Sequence, residues 1–113
     1  MLYSFAGTSN GWSPQAALTK IGKTLYGSTQ NGGNTGGPQD PCSAGCGTLF
    51  SITASGRYRP LYRFDGNSAG DGQSPLGGLT NVNGTLYGTT YYGGNSACDS
   101  TPKGCGTLFS LSP

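Results

Sequence analysis

The sequence predicts an all-β fold of β-propeller type, with two four-stranded antiparallel blades per chain, completed by head-to-tail oligomerisation. Three observations carry that expectation. The 113 residues repeat at a spacing of about 60. Each repeat breaks into short stretches rich in Leu, Tyr, Phe and Thr, bounded by Gly, Asn or Pro. The connections between those stretches alternate between short and long.

The repeat is direct. "LYSF" at 2–5 returns as "LYRF" at 61–64, "LTKIGKTLYGST" at 18–29 as "LTNVNGTLYGTT" at 79–90, and "GCGTLFS" at 45–51 again at 104–110. The offsets are 59, 61 and 59, so length differences fall between the matching pieces. We read 1–113 as a single repeat domain: an outer strand at 2–5, a blade repeat over 17–64 and an incomplete blade repeat over 78–111.

The first element, "LYSF", matches the last strand of a blade and has no blade before it. "LTKI" and "TLYGST" follow, joined by Gly22-Lys23, a type II′ hairpin signal. "GTLFSIT" turns through "ASG" into "RYRPLYRF"; Pro60 removes a ladder donor, which only an edge strand tolerates, so this strand is expected at the outer edge. "LTNV" and "TLYGTT" meet at Asn83-Gly84, a type I′ signal, and "GTLFSLSP" closes the chain. The long connections fall at about 6–16, 30–46, 65–77 and 91–105. In an antiparallel meander alternate connections share one end of the sheet, so all four are expected on one face, where function is commonly carried.

Composition narrows the chemistry. Six Lys and Arg against four Asp leave a net charge of +2, spread singly; there is no basic stripe for a phosphate backbone, and nucleic acid is not expected as a partner. There is no His and no Glu, which removes the commonest general bases, acids and zinc ligands. We therefore expect no enzyme, no catalytic residue, no metal and no cofactor. No stretch approaches the roughly 20 apolar residues of a membrane span. "DGNSAGDG" at 65–72 is read as an Asp/Gly turn, because a calcium loop of EF-hand type would need a terminal Glu.

The four cysteines allow three pairings, and the repeat favours the local one, Cys42–Cys46 with Cys98–Cys105. Each small loop closed in this way contributes roughly 2 to 2.5 kcal/mol in the chain-entropy model. Disulfides point to an oxidising compartment. On the long-loop face, Trp12, Tyr91 and Tyr92 stand with Asn10, Asp65, Asp71 and Asn95. Aromatic rings cover the apolar face of a pyranose while amides and carboxylates meet its hydroxyls, so a glycan is the ligand class these residues suggest.

"LYSF", "GGLTNVNGTLYGTTYYGGN" and "GCGTLFSL" together resemble the GloVer tandem repeat, a family of bacterial proteins read as exported and often anchored at the cell surface. The resemblance covers nearly the whole chain and implies a propeller-like fold and an extracellular or bacterial cell-surface location, without catalytic residues to carry over. Members usually have many repeats and this chain has two.

The two ends are complementary. The N-terminal strand lacks a blade, and the second blade lacks its outer strand. Leu2, Tyr3 and Phe5 of one copy are therefore expected to exchange with the strand holding Leu108, Phe109 and Leu111 of the next. A homo-oligomeric ring, trimer or tetramer, follows if the rotation closes. An open extracellular filament follows if it does not, and a stretch of a longer surface propeller is the remaining alternative.

Overall fold

The computed structural model describes residues 1–7, 9–33, 42, 44–66, 71–94 and 104–113. It is all-β, with three antiparallel sheets, none closed among the described residues. The first sheet has β1 (Thr19–Ile21), β2 (Thr24–Thr29), β3 (Thr48–Thr53) and β4 (Tyr58–Arg63) in chain order. The other sheets are a pair, β5 (Gly72–Gln73) with β8 (Tyr92–Gly93), and a three-stranded sheet, β6 (Thr80–Val82), β7 (Thr85–Thr90) and β9 (Thr107–Leu111).

Local chemistry sets the turns. Gly22 adopts φ 61, as the first position of a II′ turn demands, and Asn83 and Gly84 adopt 53 and 89, the two positive values of a I′ turn. β4 lies at the edge, as Pro60 requires, and the register slips between Leu49 and Phe50 so that Phe50 faces Pro60 while Leu61 is skipped. The extra residue of the bulge is thus Leu61, next to the proline that cannot donate.

The core lies between the first sheet and the three-stranded sheet. Cross-strand neighbours point to the same face, so Ile21, Tyr26 and Leu49 share one face of the first sheet. They join Leu79, Leu86, Phe109 and Leu111 of the second repeat in one apolar cluster, with Phe64 and the Cys42–Cys46 pair. Phe64 meets Phe109 edge to face at 5.4 Å. The Thr19 hydroxyl donates to the Leu79 carbonyl, and Ser74 N–H donates to the Cys46 carbonyl at 2.8 Å. These bonds cross between the repeats and fix how they stack.

At the long-loop end of each repeat two threonines face each other. The Oγ1 atoms of Thr29 and Thr48 lie 2.8 Å apart, and those of Thr90 and Thr107 2.7 Å apart. Thr29 spends its hydroxyl proton on the Asn31 carbonyl and accepts from Thr48 N–H, so Thr48 Oγ1 must donate to Thr29. Thr90 does the same with the Tyr92 carbonyl and Thr107. Gly11 and Gly72 pass over these pairs so closely that a Cβ would come within 2.4 Å and 2.6 Å of threonine side-chain atoms. The long connections expected at about 6–16, 30–46, 65–77 and 91–105 carry pairing of their own: the Trp12 to Asn31 bridge joins the first two, and β5 pairs with β8 across the other two.

Candidate assembly edge and loop-face site

β9 pairs with β7 on one side, and no strand pairs with its other side among the described residues. In the first sheet the matching side of β3 is taken by β4. The faces differ in the same sense. Leu49 is 1% exposed and its counterpart Leu108 is 77% exposed. Val82 and Tyr87, which match Ile21 and Tyr26, are exposed as well. Phe109 and Leu111 instead point into the core.

The N-terminal segment forms no hydrogen-bonded strand. It packs by its side chains on the outer face of the first sheet. Phe5 meets Phe50 edge to face, centroids 5.4 Å apart and planes at 66°; Phe64 meets Phe109 at 5.4 Å and 64°. Phe5 thus does for the first sheet what Phe64 does for the second. An apolar groove beside it is lined by Leu2, Pro14, Leu18, Leu25 and Ile52, and Leu2 and Leu18 are half exposed.

Tyr58 fills the space between this segment and the sheet. Its ring stacks on Tyr3 at 4.0 Å with planes 3° apart, tilts on Phe50 at 5.3 Å, and its hydroxyl donates to the Asn10 carbonyl at 2.5 Å. Burial first, and repulsion from Tyr3 second, push its hydroxyl up to about 12. In the second repeat a cavity of about 230 Å³ lies at the corresponding place, lined by Tyr62, Phe64, Asp71, Phe109, Ser110 and Leu111, with Leu49.

Of the loop-face residues, the structure brings together two sets. Tyr91 and Tyr92 meet edge to face at 4.7 Å, with Tyr91 62% exposed. Asp65 and Asp71 also meet, but through the backbone: Asp71 Oδ2 accepts from Asp65 N–H at 3.0 Å and from the Tyr62 hydroxyl at 2.5 Å, and Oδ1 accepts from Gly72 N–H at 2.9 Å. That carboxylate ties Asp65 and Gly72 to β4 through Tyr62. Tyr62 is pushed up to about 12, by burial first and then by this bond. Asn10 donates from Nδ2 to the Tyr3 hydroxyl at 3.2 Å, so its amide serves the N-terminal segment. Trp12 is bridged to Asn31 through both backbones, and its side chain is exposed. Asn95 lies outside the described residues.

Cys42 and Cys46 form a disulfide, as the repeat argument expects. Cys105 is disulfide-bonded as well, and its expected partner Cys98 lies outside the described residues. No helix among the described residues is long and apolar enough to cross a membrane. Sequence reasoning missed Tyr58 and Tyr62. The available signal was the tyrosine shared by "LYSF" and "LYRF", whose structural partner only the fold reveals.

No curated protein and no solved structure matches the chain. The family model described as the Gloeobacter/Verrucomicrobia repeat matches residues 1–113. The match agrees with an architecture of two related β units in one chain, and the chain belongs to the Gloeobacter/Verrucomicrobia repeat family.

Proposed function

We propose that the chain is a non-catalytic, propeller-type module of two blades that assembles head to tail with further copies of itself at the cell surface or outside the cell. The observation that carries this reading is the paired geometry of Phe5 on Phe50 and Phe64 on Phe109. The contact between the two repeats is then a template for the contact between copies. Val82, Tyr87 and Leu108 of one copy take the role of Ile21, Tyr26 and Leu49, and Leu18, Leu25, Phe50 and Ile52 of the next take that of Leu79, Leu86, Phe109 and Leu111.

The polar bonds have their counterparts. Thr80 stands for Thr19, with the Leu18 carbonyl of the next copy as acceptor; Ser13 stands for Ser74, with the Cys105 carbonyl as acceptor. Ser13 is already at φ 60, beside 59 for Ser74, and its carbonyl accepts from Gln30 N–H at 3.0 Å, as that of Ser74 accepts from Tyr91 N–H at 3.0 Å. The β3 to β4 register puts Ser4, Tyr3 and Met1 of one copy opposite Thr107, Leu108 and Phe109 of another. The match is heterologous, so it makes a ring where the rotation closes and a filament where it does not. The disulfide of Cys42 with Cys46 fits an oxidising compartment.

Native mass and electron microscopy of the purified chain test the reading. Discrete rings or filaments are expected, and Leu108→Asp should reduce them to single chains. A native chain that stays monomeric at high concentration sinks it. A second reading, glycan binding on the long-loop face, is favoured by the exposure of Trp12 and Tyr91. A glycan that changes Trp12 fluorescence, with loss of binding in Trp12→Ala, is its expected signature.

A further inference from the structure

We infer that the cavity beside β9 is the seat of a tyrosine ring, carried by an extended segment of the β4 kind, Tyr-x-Pro-Leu-Tyr, that pairs with the open side of β9. The inference rests on the reading of β9 as a receptor edge and adds what that edge recognises.

The warrant is the first repeat, where the seat is filled. There Tyr58 lies opposite Ile52 in the β3 to β4 register and is held by Tyr3, Phe5 and Phe50, with its hydroxyl on the Asn10 carbonyl. The repeat converts each of these into a residue at the cavity: Ile52 into Leu111, Tyr3 into Tyr62, Phe5 into Phe64, Phe50 into Phe109 and Asn10 into Asp71. All five line it. Phe64 already holds Phe109 as Phe5 holds Phe50, so the walls stand in the arrangement that binds Tyr58.

The seat discriminates between segments. The segment 1–5 matches 60–64 with Met1 in place of Pro60 and Ser4 in place of Arg63, and in the β3 to β4 register Met1 falls opposite Phe109. The tyrosine position lies two residues earlier along the pairing strand, opposite Leu111. A segment that reaches it buries a further aromatic ring and gives its hydroxyl an acceptor at the Asp71 carbonyl. One without an aromatic ring at that position leaves the seat open. Edge pairing supplies backbone hydrogen bonds to any extended chain, and the pocket for a particular side chain supplies the choice. β9 is accordingly expected to prefer a strand that carries tyrosine opposite Leu111 over one that does not.

The test uses the whole chain and a synthetic peptide with the sequence of residues 57–64, Arg-Tyr-Arg-Pro-Leu-Tyr-Arg-Phe. Calorimetry should show one peptide bound per chain. If copies are already joined through "LYSF", the peptide should part them as it binds, read by native mass in the same samples. The peptide carrying Tyr58→Ala should bind at least about tenfold more weakly, since burying and stacking an aromatic ring exceeds the 1.4 kcal/mol of one decade; Tyr58→Phe should cost only about fivefold. In a chain with Tyr62→Ala, a half-exposed residue, the native and alanine peptides should converge in affinity.

Equal binding of the native and alanine peptides overturns the inference, and so does failure of the native peptide to bind. The mass of the chain alone tests assembly separately. A monomer that still selects the tyrosine peptide removes the self-assembly reading and keeps the seat. Rings indifferent to the peptide remove the seat and keep assembly.

Discussion

Gly27 lies directly beneath the ring of Phe50, its partner in the β2 to β3 register, and a Cβ on it would come within 2.6 Å of the ring's Cζ. Gly88 stands in the same relation to Phe109, also at 2.6 Å. Neither glycine is there for an unusual backbone angle. Each leaves the floor on which a phenylalanine lies flat across its strand, also beside Leu18 or Leu79. Gly88→Ala is expected to destabilise the chain by about 1–3 kcal/mol through overpacking, because Phe109 is held from above by Phe64. Gly27→Ala is expected to cost about as much, since Phe50 is held by Phe5 and Tyr58 as Phe109 is by Phe64. Urea midpoints of the two variants check both.

Leu49 and Leu108 predict opposite outcomes for one substitution. Leu49→Ala opens the core and should cost about 2–5 kcal/mol. Leu108→Ala should leave the stability of a single chain within about 0.5 kcal/mol and weaken association between copies. Denaturation at low concentration, set beside native mass at high concentration, separates the two effects.

Thr29→Val removes the acceptor of the Thr48 hydroxyl and N–H and leaves the buried Thr48 hydroxyl without it. A loss of about 1–3 kcal/mol is expected. The double variant with Thr48→Val should regain part of that loss, which thermal melts would reveal.

Alkaline pH should loosen the N-terminal segment. The Tyr58 hydroxyl is raised from 10.0 to about 12, so the folded state holds its proton more tightly than the unfolded chain does. The stability this gives is fully present below pH 10 and is lost as pH rises through 12. Tyr62 is raised to about 12 as well and works in the same direction. Urea midpoints between pH 9 and 12 should fall, and Tyr58→Phe should flatten the fall.

Reduction of the Cys42–Cys46 disulfide is expected to cost about 2 kcal/mol. The effect should concentrate where Cys46 receives Ser74 N–H. Amide exchange at Ser74 with and without reductant reads it.

The sequence by itself determined what is local. Short stretches with paired apolar residues, Leu-Tyr or Leu-Phe, bounded by Gly, Asn or Pro marked β2, β3, β7 and β9; Gly22 and Asn83-Gly84 chose their turns; Pro60 placed β4 at an edge; and the repeat paired Cys42 with Cys46. Each of these rests on chemistry between residues close along the chain or on one backbone's own geometry. Tertiary structure decided what depends on a neighbour. β5 and β8 are too short and glycine-rich to show a period, and they exist because the two loops cross over Thr90 and Thr107. Asp71 and Asn10 looked like ligand groups because their types suit hydroxyls, yet their side chains are engaged with Tyr62 and Tyr3. The clearest case is the heptapeptide shared by 45–51 and 104–110. It sets Leu49 and Leu108 in identical local sequence and identical strands, and one is 1% exposed while the other is 77% exposed. A strand has two faces, and burial of either is conferred by whatever packs on it. In the first repeat that is the second, whereas among the described residues the face of the second that holds Leu108 stays exposed.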